Sequence, residues 1–176
     1  MKRVLAFILL FTGCCTAFAA EPDWVLTPDS LGPVKIGMSE NSLQVVLKQK
    51  LDYDFDPFAS DACGTASTKK SRALGISFTL HGGQVTRISV DYFDKGVRSP
   101  VQTEVGIGLG ATVEEVKQAY GDRLVVKPHP NDPSWHYLVV DKPDHTRAII
   151  FETNGTKVIH FRAGDYPEIV RPDGCY

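Results

Sequence analysis

Slid along itself by 73 residues, this sequence falls into register, and that internal periodicity limits the fold more than any single motif does. At this shift Gly37 meets Gly110, Ile76 meets Ile149, Phe78 meets Phe151, Gly82 meets Gly155 and Val85 meets Val158. Conservative pairs hold the same register: Val34 with Ile107, Ile36 with Leu109, Ser39 with Thr112, Leu43 with Val116. The absence of any gap predicts two tandem copies of one unit, over residues 24–97 and 98–170, with 171–176 as a tail that carries Cys175. A unit of that length buries little core alone, so the copies are expected to share one.

Each copy opens with a short alternating segment, Val34 to Ile36 or Ile107 to Leu109, which a Gly breaks before a helix begins. In the second copy Thr112 and Glu115 have the spacing of a capping box, Val113, Val116 and Tyr120 share a face, and Gly121 ends the helix. In the first, Ser39 caps, Leu43, Val46 and Leu47 form the stripe, and Ser42 stands where Glu115 would complete the box. Each copy closes with a hairpin. Ile76, Phe78 and Leu80 lead through His81-Gly82-Gly83 to Ile88 and Val90, and Ile149 and Phe151 lead through Asn154-Gly155 to Ile159 and Phe161. An earlier strand fits Trp135 to Val140, with a weaker counterpart around Cys63, while the Pro-rich run from Lys127 to Pro133 reads as a surface loop. Helix, strand, strand, strand, repeated, predicts an α+β fold: two helix-plus-antiparallel-sheet repeats with the helices packed on one sheet face.

The N-terminus has the order of a secretory signal peptide, with Lys2 and Arg3, an apolar run from Val4 to Phe11, then Ala17-Phe18-Ala19. Cleavage is expected after residue 19, so that residues 1–19 are the signal peptide and the mature chain starts at Ala20. The run is shorter than the roughly 20 apolar residues a membrane span needs. A competing reading takes Phe11-Thr12-Gly13-Cys14 as a lipobox, which would make Cys14 a lipidated N-terminus and the protein an anchored lipoprotein rather than a free periplasmic or secreted one. Loss of Lys2 and Arg3 leaves 17 basic against 21 acidic side chains, a net charge of −4, which argues against nucleic acid as a partner.

Cleavage also removes Cys14 and Cys15. The remaining pair, Cys63 and Cys175, reads as a disulfide in an oxidising compartment, and a metal reading lacks a second Cys or His at ligand spacing.

Chemistry-bearing motifs are sparse, and no enzyme activity or cofactor is expected. There is no Gly-x-Ser-x-Gly, His-Glu-x-x-His, phosphate loop or Cys-x-x-Cys. His129, Asp132 and His136 lie close in sequence, with His145 and His160 available from elsewhere, but a Pro-rich loop usually leaves its His residues solvated; a small metal protein or hydrolase is the minor reading. Asn154-Gly155-Thr156 is read as a turn rather than a glycosylation site, and Asp52, Asp54 and Asp56 as a strand or loop edge rather than a calcium loop. The sheet remains. If Ile149, Phe151, Ile159 and Phe161 face the helices, period 2 sends Ile150, Glu152, His160 and Arg162 to the other side, with Ser77, Thr79, Arg87 and Ser89 from the first copy. Arg87, Trp135, Tyr137, Glu152, His160 and Arg162 are therefore the candidate protein-contact face, expected to be exposed. An ordinary solvated sheet face is the alternative.

The segments Ile36-Gly37-Met38-Ser39 and Leu109-Gly110-Ala111-Thr112-Val113-Glu114-Glu115-Val116, each followed by a three-strand pattern, resemble the helix entry of the SmpA/OmlA (BamE-like) family. The tandem arrangement resembles the β-lactamase inhibitory protein family, built from two such units. Ala111 departs from the Met usual at that position, and the shared motif specifies fold rather than function. The resemblance implies a periplasmic module that holds an envelope or extracellular protein on the exposed sheet face, in an inhibitor-like manner, or alternatively an envelope assembly or scaffolding component lipidated at Cys14.

Overall fold

The helix entries form where local side-chain chemistry places them. In the computed structural model, which describes residues 24–54, 63–92, 99–171 and 175, helix α3 (Val113–Tyr120) starts on a closed capping box. The Thr112 hydroxyl accepts the Glu115 N–H at 3.2 Å and the Glu115 carboxylate accepts the Thr112 N–H at 2.7 Å. Helix α1 (Glu40–Leu47) starts on Ser39, whose hydroxyl accepts the Ser42 N–H at 3.3 Å. A short helix α2 (Lys69–Ala73) is capped by Thr68 and was not expected from the sequence. No helix among the described residues is long and apolar enough to cross a membrane.

Two sheets carry the rest. The small one joins β1 (Val25–Leu26), β2 (Ser30–Leu31), β3 (Val34–Lys35) and β8 (Gln102–Thr103) in the order β3-β2-β1-β8, with β8 parallel to β1. The large one is antiparallel and has eight strands: β4 (Asp52–Asp54), β5 (Cys63–Ser67), β6 (Ile76–His81), β7 (Gln84–Asp91), β9 (Leu124–Pro128), β10 (His136–Asp141), β11 (Arg147–Thr153) and β12 (Val158–Asp165). Their spatial order is β4-β5-β6-β7-β12-β11-β10-β9, so the hairpins β6-β7 and β11-β12 meet at the centre.

That central seam is close. A Cβ on Gly164 would lie 2.4 Å from Thr86 O and 3.0 Å from Arg87 Cα, so only Gly permits β12 to pair with β7 there. Each helix entry is then tied to its own hairpin. Gly37 N–H donates to Val85 O at 2.7 Å and Val85 N–H returns to Met38 O at 2.9 Å; Gly110 N–H donates to Val158 O at 2.9 Å and Val158 N–H returns to Ala111 O at 2.8 Å. These ties lay Leu43 of α1, and Val116 and Tyr120 of α3, on one face of the sheet. There they close a core with Ile76, Phe78, Ile149, Phe151 and Phe161.

Three sequence expectations need correction here. Each half contributes four strands to the large sheet rather than three, because β4 and β9 add an outer strand to each hairpin group. Strand β9 includes Lys127 and Pro128, assigned above to a loop; at the sheet edge the missing Pro N–H forfeits no ladder bond. Ile159 does not join Phe161 on the helix side. The register of β11 against β12 shifts between Glu152 and Thr153, so Val158 enters the core and Ile159 is left partly exposed. The Asn154 turn stands as expected, with its carboxamide oxygen accepting the Thr156 and Lys157 N–H groups at 3.2 and 2.9 Å.

The far face of the sheet is covered at its centre. After the cis Tyr166-Pro167 bond the chain makes a 3-10 turn (Glu168–Val170) that lies against β7, β11 and β12, and Ile169 packs on Val139, Ala148 and Ile150. Cys175 is bonded to Cys63 of β5, as the sequence suggested, across 112 residues. Alternation does send Ser77, Thr79, Arg87, Ser89 and Arg162 to this face, but all five are buried, with the 3-10 turn and Arg171 lying against it.

A loop of 112 residues removes enough entropy from the unfolded chain to stabilise the fold by about 4–5 kcal/mol. Cys175→Ser is accordingly expected to lower the urea midpoint substantially while the secondary structure, read by far-UV circular dichroism, persists; an unchanged midpoint would remove the crosslink from the account of stability.

Candidate functional site

Cross-strand register brings the candidate residues into rows. Tyr137 opposes Glu152, Glu152 opposes His160, and His160 opposes Asp91, which sets one row across β10, β11, β12 and β7. The next row on the same face runs Val139, Ile150, Arg162, Ser89 and Ser77. A third contains Ala148, Gly164, Arg87 and Thr79. Strand pairing thus fixes the spacing of these side chains before any of them touches another.

Glu152 is the hub. Arg162 Nη1 lies 3.4 Å and His160 Nδ1 3.5 Å from its Oε2, and His129 Nε2 lies 3.4 Å from its Oε1. His129 arrives from the loop after β9. Its Nδ1 accepts the Asn131 N–H at 3.2 Å, so the proton of a neutral ring sits on Nε2 and points to Glu152. The ring lies between Trp135 and Tyr137, with centroids 5.4 and 4.7 Å away. Arg162 is 1% exposed; its Nε donates to Ile169 O at 2.8 Å and its guanidinium carbon lies 5.3 Å over the Tyr137 ring.

The hydrogen bond with His160, and the positive charge that His160, Arg162 and His129 bring, hold the Glu152 carboxyl down at about 2 against the opposing effect of burial. The pKa of His160 is lowered as well, because burial outweighs its contact with Glu152. Its Nδ1 faces opposite demands: Arg162 Nη1, 3.2 Å away, can only donate to it, whereas Glu152 can only accept from it. Glu152, ionised far below neutral pH, neither takes nor gives a proton at pH 7. The arrangement is suited to holding charge in place rather than to moving protons.

Trp135, Tyr137, Glu152, His160 and Arg162 thus converge, and Arg87 does not. Arg87 sits two rows away and its Nη1 donates to Arg171 O at 2.7 Å. The exposure expected of the face fails for Arg87 and Arg162, which are 6% and 1% exposed, since the C-terminal segment lies on both. Trp135, Tyr137, Glu152 and His160 are partly exposed, the His160 and Glu152 side chains at 15% and 19%. His129, expected to be solvated in its loop, is instead buried against Glu152. The prolines flanking it gave no signal of this, since they constrain the backbone and not the ring's destination. Among the described residues no group of three or more His, Cys, Asp or Glu is arranged to hold a metal ion, and His145 is an exposed neighbour of Asp141.

No protein-family model matches this sequence, and no curated protein matches it. Among solved structures, the chain is similar to an extracellular protein containing a SCP domain from Bacillus anthracis str. Ames, at 10% identity and a TM-score of 0.46. The similarity covers 74% of this chain and 44% of that one.

Both shifts make the cluster acid-labile. With a folded pKa below its unfolded value, Glu152 contributes stability that is complete above about 4.5 and is lost as pH falls towards about 2. The lowered His160 acts with the same sign, its contribution being lost as pH falls below about 6.5. Glu152→Gln is expected to cost roughly 2–3 kcal/mol at pH 7, by leaving the buried Arg162 charge without a counter-ion, and to flatten the dependence of stability on pH between 5 and 2. Equal slopes for variant and wild type in denaturation series across that range would contradict the assignment.

Proposed function

We propose that this chain is an exported protein-binding module, periplasmic or secreted, whose contact surface is the end of the far sheet face that the C-terminal segment leaves open. The carrying observation is the row of Tyr137, Glu152 and His160 bordered by Trp135: an ionised carboxylate fixed by cationic and imidazole partners and flanked by two aromatic rings on paired strands. Side chains held by strand pairing and ring contacts lose little freedom when a partner docks, and Trp and Tyr are the residues that anchor such contacts. The helices offer a poorer surface, because α3 turns Lys117 and Gln118 outward and Lys48 lies exposed at the end of α1. The signal-like N-terminus and a disulfide between distant residues support an oxidising compartment.

The two halves are read as copies of one unit. Helices α1 and α3 begin at Glu40 and Val113, 73 residues apart; the entry ties of Gly37 to Val85 and Gly110 to Val158 are displaced by the same amount, as are the register shifts after Thr79 and after Glu152. This supports, as a proposal, the likeness to the β-lactamase inhibitory protein family and with it an inhibitor-like mode. The SmpA/OmlA-like alternative, an assembly component anchored through Cys14, concerns residues outside those described; the mass of the exported protein separates it from a chain that starts at Ala20.

Crosslinking in the envelope, followed by identification of the captured protein, supplies the partner. Against that partner Trp135→Ala is expected to raise Kd roughly tenfold or more, whereas Lys117→Ala and Gln118→Ala stay within about twofold. If the helix substitutions abolish binding and Trp135→Ala leaves it intact, the surface belongs to the other face.

A further inference from the structure

The C-terminal segment is held on the far face by contacts that would recognise a peptide as readily as a tail. Two buried guanidiniums donate to two backbone carbonyls, Arg162 Nε to Ile169 O at 2.8 Å and Arg87 Nη1 to Arg171 O at 2.7 Å. These carbonyls lie at the C-terminal end of the 3-10 turn, where a helical turn leaves its C=O groups without internal partners and cations are favoured. The Ile169 side chain is fully buried on Val139, Ala148 and Ile150. The Glu168 carboxylate lies 3.2 Å from His81 Nδ1. In the row shared with Arg162, the Ser89 hydroxyl is buried and makes no hydrogen bond among the described residues, so the face carries a polar group that the tail leaves unused.

We propose that this face is a peptide site for a short helical turn with an acidic residue followed by a bulky aliphatic one, and that residues 168–171 occupy it in cis. The occupant in trans is a segment of a partner protein with the same order: the carboxylate at His81, the aliphatic side chain on Val139, Ala148 and Ile150, and two main-chain carbonyls on Arg162 and Arg87. Carbonyl recognition by arginine is indifferent to side chains, so the acidic-aliphatic pair sets the specificity. The disulfide to Cys63 keeps the cis segment at an effective concentration that a free peptide does not overcome, and loss of the bond lets a competitor in. The site adjoins the open row of Tyr137, Glu152 and His160, so a partner that inserts such a turn would contact both. This deepens the protein-binding reading and rests on it for its biological meaning.

The test uses the full chain and a synthetic peptide with the sequence of residues 166–171, labelled and followed by fluorescence anisotropy. Wild-type protein is expected to bind it at least tenfold more weakly than Cys175→Ser does, and a peptide carrying Ala at the position of Ile169 to lose at least tenfold on the Cys175→Ser protein. Should Cys175→Ser fail to fold, Ile169→Ala in the disulfide-bonded chain weakens the cis segment without touching the crosslink and is expected to admit the same peptide. Equal binding of both peptides, no binding to either folded variant, or a concentration-dependent dimer that the peptide does not dissociate would overturn the proposal, the last by making a second copy the occupant. Loss of partner capture on Trp135→Ala together with no peptide binding would leave the protein-binding reading standing and remove this inference alone.

Discussion

A guanidinium that cannot lose its proton is buried to 1% exposure on the sheet face opposite the helices, and much of that side of the molecule is arranged around it. An unpaired charge at such a position would cost several kcal/mol, so Arg162 needs a counter-ion, an acceptor and a cover. Glu152 on the neighbouring strand provides the charge, Ile169 O the acceptor, and the Tyr137 ring together with the Ile169 turn the cover. The consequences spread outward. Glu152 is held ionised, His129 Nε2 reaches it from the loop after β9, and His160 Nδ1 lies against both Glu152 and Arg162. A buried pair of this kind is weak support for stability by itself; what it gives is one defined arrangement of tail, loop and sheet.

That arrangement rests on the sheet seam beneath it. Arg162 and Ser89 can oppose each other only if β12 lies directly beside β7, and the missing Cβ of Gly164 is what lets the strands approach. On the helix side the same seam sets Phe161 opposite Val90, while β11 sets Phe151 on its other side with ring centroids 5.8 Å apart, so one core serves both halves of the chain. Helices α1 and α3 contribute apolar residues to it, and their hydrogen-bonded ties to the hairpins through Val85 and Val158 decide which sheet face they cover. The two faces then have separate work: one closes the core, and the other carries the charged cluster and the C-terminal segment.

Much of this could be read from the sequence, and what could not has physical causes. The helix starts at Ser39 and Thr112, both hairpins, the Asn154 turn and the Cys63 to Cys175 bond depend on local spacing or on a parity of two cysteines, which sequence displays directly. Which face each strand residue takes was equally legible until the shift after Glu152 exchanged Val158 for Ile159, because a bulge leaves no mark on the alternation around it. Burial of the far face was not legible. Alternation states which way Arg87 and Arg162 point but not what lies above them, and the covering turn, Pro167 to Val170, is a short polar-apolar mixture with no period of its own. Burial of His129 was hidden for a related reason, since a proline-rich composition describes a loop's backbone and not where its side chains end up.

The state of Glu152 distinguishes this account from one in which the far face is an ordinary solvated sheet surface. Carbon-13 NMR of the glutamate carboxyl groups, followed as the folded protein is acidified, reads that state directly. A Glu152 resonance that stays ionised until pH is near 2 is the result expected of a carboxylate held by His160, Arg162 and His129. A midpoint at or above about 4.5, the value of a free glutamate side chain, would mean that the cluster does not exist in solution and that Arg162 is not held as described.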